Sequence, residues 1–126
     1  MHRSAAGKAI MAHMSDAEVG GIVERNGLPR YTEHTIVTHE ALMLELARIR
    51  QRGFSIDNEE FSLGLRCIAA PIFDETGAVH AAISLAGPAG RIAENRVDAL
   101  GDLVALCSKS VTSEIGGRRP TGQKLA

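Results

Sequence analysis

The chain has 126 residues, 44% hydrophobic and 23% charged, with a formal net charge of −1. A chain of this length and composition suits one globular domain and excludes a disordered polymer, because its apolar surface can offset the entropy of ordering the backbone. Three Phe, one Tyr and no Trp leave no stacking platform for single-stranded nucleic acid, and basic residues scattered apart from Arg118 and Arg119 leave no face for duplex DNA.

Ser4 to Met14 is Ala-rich and reads as a short helix N-capped by Ser4, although Gly7 inside it costs about 1 kcal/mol against Ala. Ser15-Asp16-Ala17-Glu18 is a capping box that starts a second helix, with Val19, Ile22 and Val23 at helical spacing. Asn26-Gly27 ends that helix in a left-handed cap, and Pro29 blocks continuation. Residues 28–37 form a polar connector. Thr38 then N-caps a third helix, His39 to Arg52, striped by Leu42, Leu46 and Ile49, its basic end suited to the helix dipole. Gly53 is its stop.

Residues 54–57 form a short extended piece. Leu65 to Phe73 is apolar on both parities apart from Arg66 and reads as a buried central strand. Asp74 to Gly77 is a turn, and Ala78 to Ala86 the return strand of a hairpin. Residues 87–90 break the pattern. A long helix runs from about Glu94 to Ile115, with Val97, Leu100, Val104, Cys107, Val111 and Ile115 at steps of three or four. On that stripe Cys107 reads as core packing. Residues 118–126 read as a flexible tail. The order predicts an α+β fold: an antiparallel sheet flanked by helices, with a long C-terminal helix. Three strands make a thin sheet, which suggests that further strands lie upstream.

Cys67 and Cys107 belong to no CxxC pair or zinc-finger spacing, so a reduced, cytoplasmic protein is expected. No apolar run approaches the ~18 residues of a membrane span, and residues 1–4 lack a signal-peptide core. The five histidines show no metal spacing, and no cofactor or metal is expected. Glu59 and Glu60 could pair as general acid and base. Neighbours on an extended segment point to opposite faces, however, and a solvated acidic turn is the expectation. A nucleophilic cysteine needs a base, and none is positioned near Cys67.

Several segments in order resemble one family. Ser4-Ala5-Ala6-Gly7-Lys8-Ala9 resembles the "S-x-x-GKA" helix start of IclR-type effector domains. Gly27-Leu28-Pro29 with Tyr31-Thr32 looks like their "GLPRYT" connector, and residues 48–60 resemble "IRxxGYAxDxEE". Gly64 to Ile72 matches "GLRCIAAPI" closely, and Ala82-Ile83-Ser84 with Gly87-Pro88 fits "AxSxSGP". The resemblance spans about residues 1–117. It implies a GAF-like effector-binding domain of a bacterial transcription regulator, not an enzyme, that senses a small organic acid and pairs into homodimers or homotetramers. DNA would be held only by an N-terminal winged helix-turn-helix, which this sequence lacks. The family also has a helix and about three strands ahead of the "GKA" motif, so the chain is expected to be a fragment of the effector domain. A truncated module serving only oligomerisation is the alternative.

The resemblance also implies a site. Backbone N–H groups of Ala5, Ala6 and Gly7 at a helix start would hold a carboxylate, although small residues there also serve close packing. Asp57 matches the family's pocket acid; its structural alternative is a strand-end turn cap. Cys67 sits at the family's pocket cysteine, or is simply a small apolar side chain. Ser84 matches the first serine of the "SxS" pair, while Ala86 replaces the second and removes one hydroxyl.

Overall fold

A computed structural model describes residues 2–120. Helices α1 (Ala5–Met11), α2 (Asp16–Asn26) and α3 (His39–Arg52) precede strands β1 (Ser55–Asn58), β2 (Leu65–Phe73) and β3 (Val79–Pro88). A 3-10 turn (Glu94–Arg96) then leads into α4 (Val97–Glu114). The strands form one antiparallel sheet in the order β1-β2-β3. This is the expected α+β arrangement, with a thin sheet and a long last helix.

The expected caps are in place. Ser4 Oγ accepts the Gly7 N–H, Thr38 Oγ1 accepts that of Ala41, and Ser15 and Glu18 close a reciprocal capping box. Gly53 ends α3 in the left-handed region at φ 91°. Gly27 also has positive φ, 67°, but its ψ of −169° makes the exit from α2 extended instead of left-handed helical. Helix α1 stops at Met11, short of the expected Met14. The His13 and Met14 N–H groups tighten onto Ile10 and Met11, and Ser15 at once begins the next helix. Strand β3 runs past the expected Ala86, because Gly87 and Pro88 pair with Arg66 and Leu65. Pro88 is tolerated since β3 is an edge strand, where a missing N–H costs no ladder bond.

The sheet has two faces of different character. On one, Ile56, Ile68, Ala70 and Ile83 pack with Phe54, Ile92, Val97, Val104 and Ala105, so α4 covers it. On the other, Cys67, Ala69 and Ala82 meet Ala5, Ala6 and Ala9 of α1. A third cluster joins Met11, Val19, Leu42, Leu46 and Ile49, which seats α2 and α3 beside α1.

The expected stripe on α4 is turned from its place. The buried positions are Val97, Gly101, Val104, Ala105, Ser108 and Thr112, whereas Cys107 is exposed and Ile115 half-exposed. Small residues allow the closer approach that decides this. A Cβ on Gly101 would lie 2.3 Å from the Phe54 ring, so only glycine lets α4 sit there. The buried hydroxyls are satisfied locally: Ser108 donates to Ala105 O, and Thr112 accepts the Phe73 N–H. Cys107 is therefore not core packing. Beyond α4, the Arg118 N–H donates to Asp74 O, which lays residues 118–120 along the hairpin turn. The rest of the expected tail, 121–126, lies outside the described residues.

Candidate functional site

Helix α1 brings its first turn onto the sheet face that carries the predicted residues. Asp57 of β1 stands directly across from Cys67 of β2, and Cys67 across from Ala86 of β3. Ser55, Ala69 and Ser84 form the next row. Alternation along each strand puts Asp57, Cys67 and Ser84 on the face beneath α1. Ser55 Oγ donates to Ala5 O and pins α1 to β1. All six predicted site residues thus belong to one helix–sheet junction, though not in equal condition. Ala5 and Gly7 are buried, Cys67 and Ala6 half-buried, and Ser84 exposed at the sheet edge. The Gly7 N–H is already held by Ser4 Oγ at 3.0 Å, so of the three expected backbone donors it is committed to the helix itself.

The centre of the junction is ionic. Lys8 is fully buried, and its Nζ donates to both carboxylate oxygens of Glu60 at 2.8 Å and to Ile56 O. Glu60 is buried as well, which overturns the expectation of a solvated acidic turn at this residue. Glu59 alone keeps that character: half-buried at φ 60°, it accepts the Gly64 N–H. The reversal of direction at Glu59 turns Glu60 inward toward Lys8. Asp57, 2% exposed, accepts the Glu60 N–H at 2.8 Å. Its turn-capping role is therefore realised, beside whatever else it does.

Burial pushes the Asp57 carboxyl above the usual carboxylate range, against the opposing pull of the Glu60 N–H and the Lys8 charge. Burial raises Glu60 too, opposed chiefly by Lys8. The Cys67 thiol is pushed up by burial and by the charge of Asp57. It therefore stays protonated and cannot serve as a thiolate.

Two loops are strapped over this junction. Thr32 Oγ1 donates to Glu59 O and Thr35 Oγ1 to Glu60 O, which ties the connector after α2 to the turn after β1. His2 Nε2 lies 3.0 Å from Pro29 O. Sequence reasoning missed Lys8. Its signal was a lysine on the apolar α1 stripe formed by Ala5, Ala9 and Ala12, where a charge must find a buried partner. Among the described residues no group of three or more His, Cys, Asp or Glu could hold a metal ion, and no helix is long and apolar enough to cross a membrane.

The model of the family "Bacterial transcriptional regulator IclR C-terminal" matches residues 1–113. The transcriptional repressor IclR of Escherichia coli strain K12 is 47% identical over 119 residues, covering 94% of this chain and 43% of that protein. The acetate operon repressor of Salmonella typhimurium is 44% identical over the same shares. The chain thus spans less than half the length of these curated relatives. Among solved structures, the C-terminal domain of the E. coli transcriptional regulator KdgR superposes with a TM-score of 0.83 at 36% identity, covering 91% of this chain and 70% of that domain.

Proposed function

This chain belongs to the IclR C-terminal family of bacterial transcriptional regulators, and from that premise we propose that it senses a small organic acid and is not an enzyme. The observation that supports this reading is the junction itself. One helix start, the paired Asp57 and Cys67, and Ser84 converge on a single face of a thin sheet. Asp57 would accept a hydrogen bond from the ligand, or share its own proton with it, and Ser84 would offer a hydroxyl. The N–H groups of Ala5 and Ala6 would face the carboxylate, with that of Gly7 held by Ser4. In the whole regulator, binding would shift the population of subunit arrangements and with it the DNA affinity of a winged helix-turn-helix.

The test is a thermal-shift titration of this chain with glyoxylate, pyruvate, sugar-derived keto acids and aromatic acids. A ligand that binds only the native state stabilises it by about 2.7 kcal/mol at a hundredfold excess over Kd. A dose-dependent rise for one class of acid supports the reading. A cooperative melt that no acid moves refutes acid sensing by this chain.

A second reading is favoured by the opposite side of the molecule. Among the described residues no strand pairs with the outer edge of β3. Beside that edge lies a groove of about 240 Å³ lined by Ile83, Ser84, Leu85, Leu100, Leu103, Val104 and Cys107. Leu103 and Leu106 are each 58% exposed. An open edge beside exposed leucines invites pairing with another chain, so we propose that this face carries self-association into dimers or tetramers. Sedimentation should show concentration-dependent association that Leu103→Glu abolishes. A wild-type monomer at high concentration refutes it.

A further inference from the structure

We propose that Arg3 is the cation that receives the carboxylate of the acid, with Tyr31 and Phe61 as the aromatic floor that aims its guanidinium. This rests on the sensing reading above and adds to it a charge partner and a specificity for anions.

The charges at the junction call for such a group. Lys8 and Glu60 cancel each other in their buried pair, which leaves Asp57 as the acid beneath α1 that makes no ion pair among the described residues. A carboxylate entering there brings a second negative charge into a poorly solvated space, where like charges repel strongly. Lys8 cannot offset it, since its ammonium already holds Ile56 O and both Glu60 oxygens. Some other cation must do so.

Arg3 stands in the right place. It directly precedes Ser4, the N-cap of α1, and takes part in none of the ion pairs among the described residues. Its Cζ lies 4.1 Å from the Tyr31 ring centroid and 4.9 Å from that of Phe61. The two rings are 6.1 Å apart and tilted by 52°. They form a shallow floor against the guanidinium, a cation–π arrangement that leaves its N–H edge unused. That edge presents a fork matched to two carboxylate oxygens.

The floor is joined to the site. Phe61 follows Glu60, whose N–H binds Asp57. Tyr31 precedes Thr32, which with Thr35 is tied to the carbonyls of Glu59 and Glu60. Three separate stretches of chain therefore meet at the turn after β1, whose Glu60 N–H binds Asp57, and each contributes one member of the cluster. Both rings are about half exposed, Tyr31 at 47% and Phe61 at 45%. Two aromatics on a chain with only four in all, left open beneath an arginine with no acid, are better accounted for by a ligand contact than by core packing.

The experiment compares the wild-type chain with Arg3→Gln and Arg3→Lys, by calorimetric titration with pyruvate and with its neutral amide. Arg3→Gln should weaken pyruvate about tenfold, in line with loss of one charge-assisted contact, and leave the amide unchanged. Arg3→Lys should restore part of the loss, because the charge returns without the planar fork. Added salt should weaken pyruvate more steeply for the wild type than for Arg3→Gln. The unliganded Arg3→Gln protein should melt no more than about 4 °C below the wild type, since Arg3 makes no ion pair among the described residues and cation–π contacts at an exposed site are weak. If Arg3→Gln binds pyruvate as the wild type does, or loses acid and amide alike, this inference is overturned while acid sensing stands. If the wild type binds no acid of the wider panel, the sensing reading fails and takes this inference with it.

Discussion

Replacing Lys8 by Met removes one partner of a buried ion pair and leaves the other. Lys8 is fully buried and Glu60 nearly so, and the ammonium gives three hydrogen bonds to two partners. Breaking such a pair from one side costs about 3–5 kcal/mol, because a carboxylate stays in a poorly solvated interior without its cation. A domain of this size has about 5–15 kcal/mol in total. At roughly 4 °C per kcal/mol, Lys8→Met should melt some 12–20 °C below the wild type, as read by circular dichroism at pH 7. The pH dependence identifies the cause. Without Lys8, the folded-state pKa of Glu60 rises further above its unfolded value, so the protonated form is favoured by folding. Stability is then greatest below the unfolded pKa and falls as pH rises through the folded one. The variant should therefore recover part of its loss on going from pH 7 to pH 5. The double variant Lys8→Met, Glu60→Leu should recover most of it at every pH, since removing both charges is nearly neutral. A single variant that melts within 2 °C of the wild type (about 0.5 kcal/mol), or fails to gain on acidification, would refute an energetic role for the pair.

Three further outcomes follow from other residues. Burial, with the charges of Arg50 and Arg119, pushes His13 down to about 4, so the native state resists its protonation. The stability this maintains is complete above the unfolded pKa of about 6.5 and is lost as pH falls toward 4. By pH 5 the loss is at most about 2 kcal/mol at 1.36 kcal/mol per unit, and His13→Leu should flatten the melting curve between pH 7 and pH 5. Gly101→Ala gains about 1 kcal/mol of helix propensity but drives a methyl to 2.3 Å from the Phe54 ring. Overpacking at about 1–3 kcal/mol should win, so urea midpoints should fall and recover with Phe54→Leu. Iodoacetamide should label exposed Cys107 well before half-buried Cys67, whose thiol is held protonated; equal rates by mass spectrometry would contradict the burial and charge assigned to Cys67.

Local signals were legible in the sequence and long-range ones were not. Ser15 with Glu18, Thr38 and Gly53 act within one helical turn, so side-chain chemistry alone locates those helix ends. The hairpin was legible because Asp74 to Gly77 interrupts two apolar runs. The face of α4 was not. A count of apolar residues favours the Leu100–Cys107 side, whereas packing selects the side whose small residues admit Phe54 and the sheet. Glu60 and Lys8 lie 52 residues apart and were unreadable for a similar reason. Neither position is unusual alone, and only the fold brings an otherwise unaffordable buried lysine to its carboxylate.

The candidate site shows the same division from the other side. Asp57, Cys67 and Ser84 carry no local feature that separates a ligand contact from ordinary strand chemistry, and it was the resemblance of whole segments that selected them. The fold adds that they share one face, and that the face beneath α1 and the face beneath α4 differ in character. Small side chains and a compensated ionic pair close the α1 face, with Asp57 buried beneath α1 and Arg3 lying against Tyr31 and Phe61 outside it. The α4 face is apolar and continues outward onto exposed leucines at an open sheet edge. The two faces are joined through the three strands, whose alternate residues point to one face and then the other. On the proposed reading, a molecule bound on the α1 side would act on the α4 side through the position of these strands. If this chain both binds an acid and associates as proposed above, the coupling would be reciprocal, and association through β3 and α4 would change acid affinity by the same factor that the acid changes association.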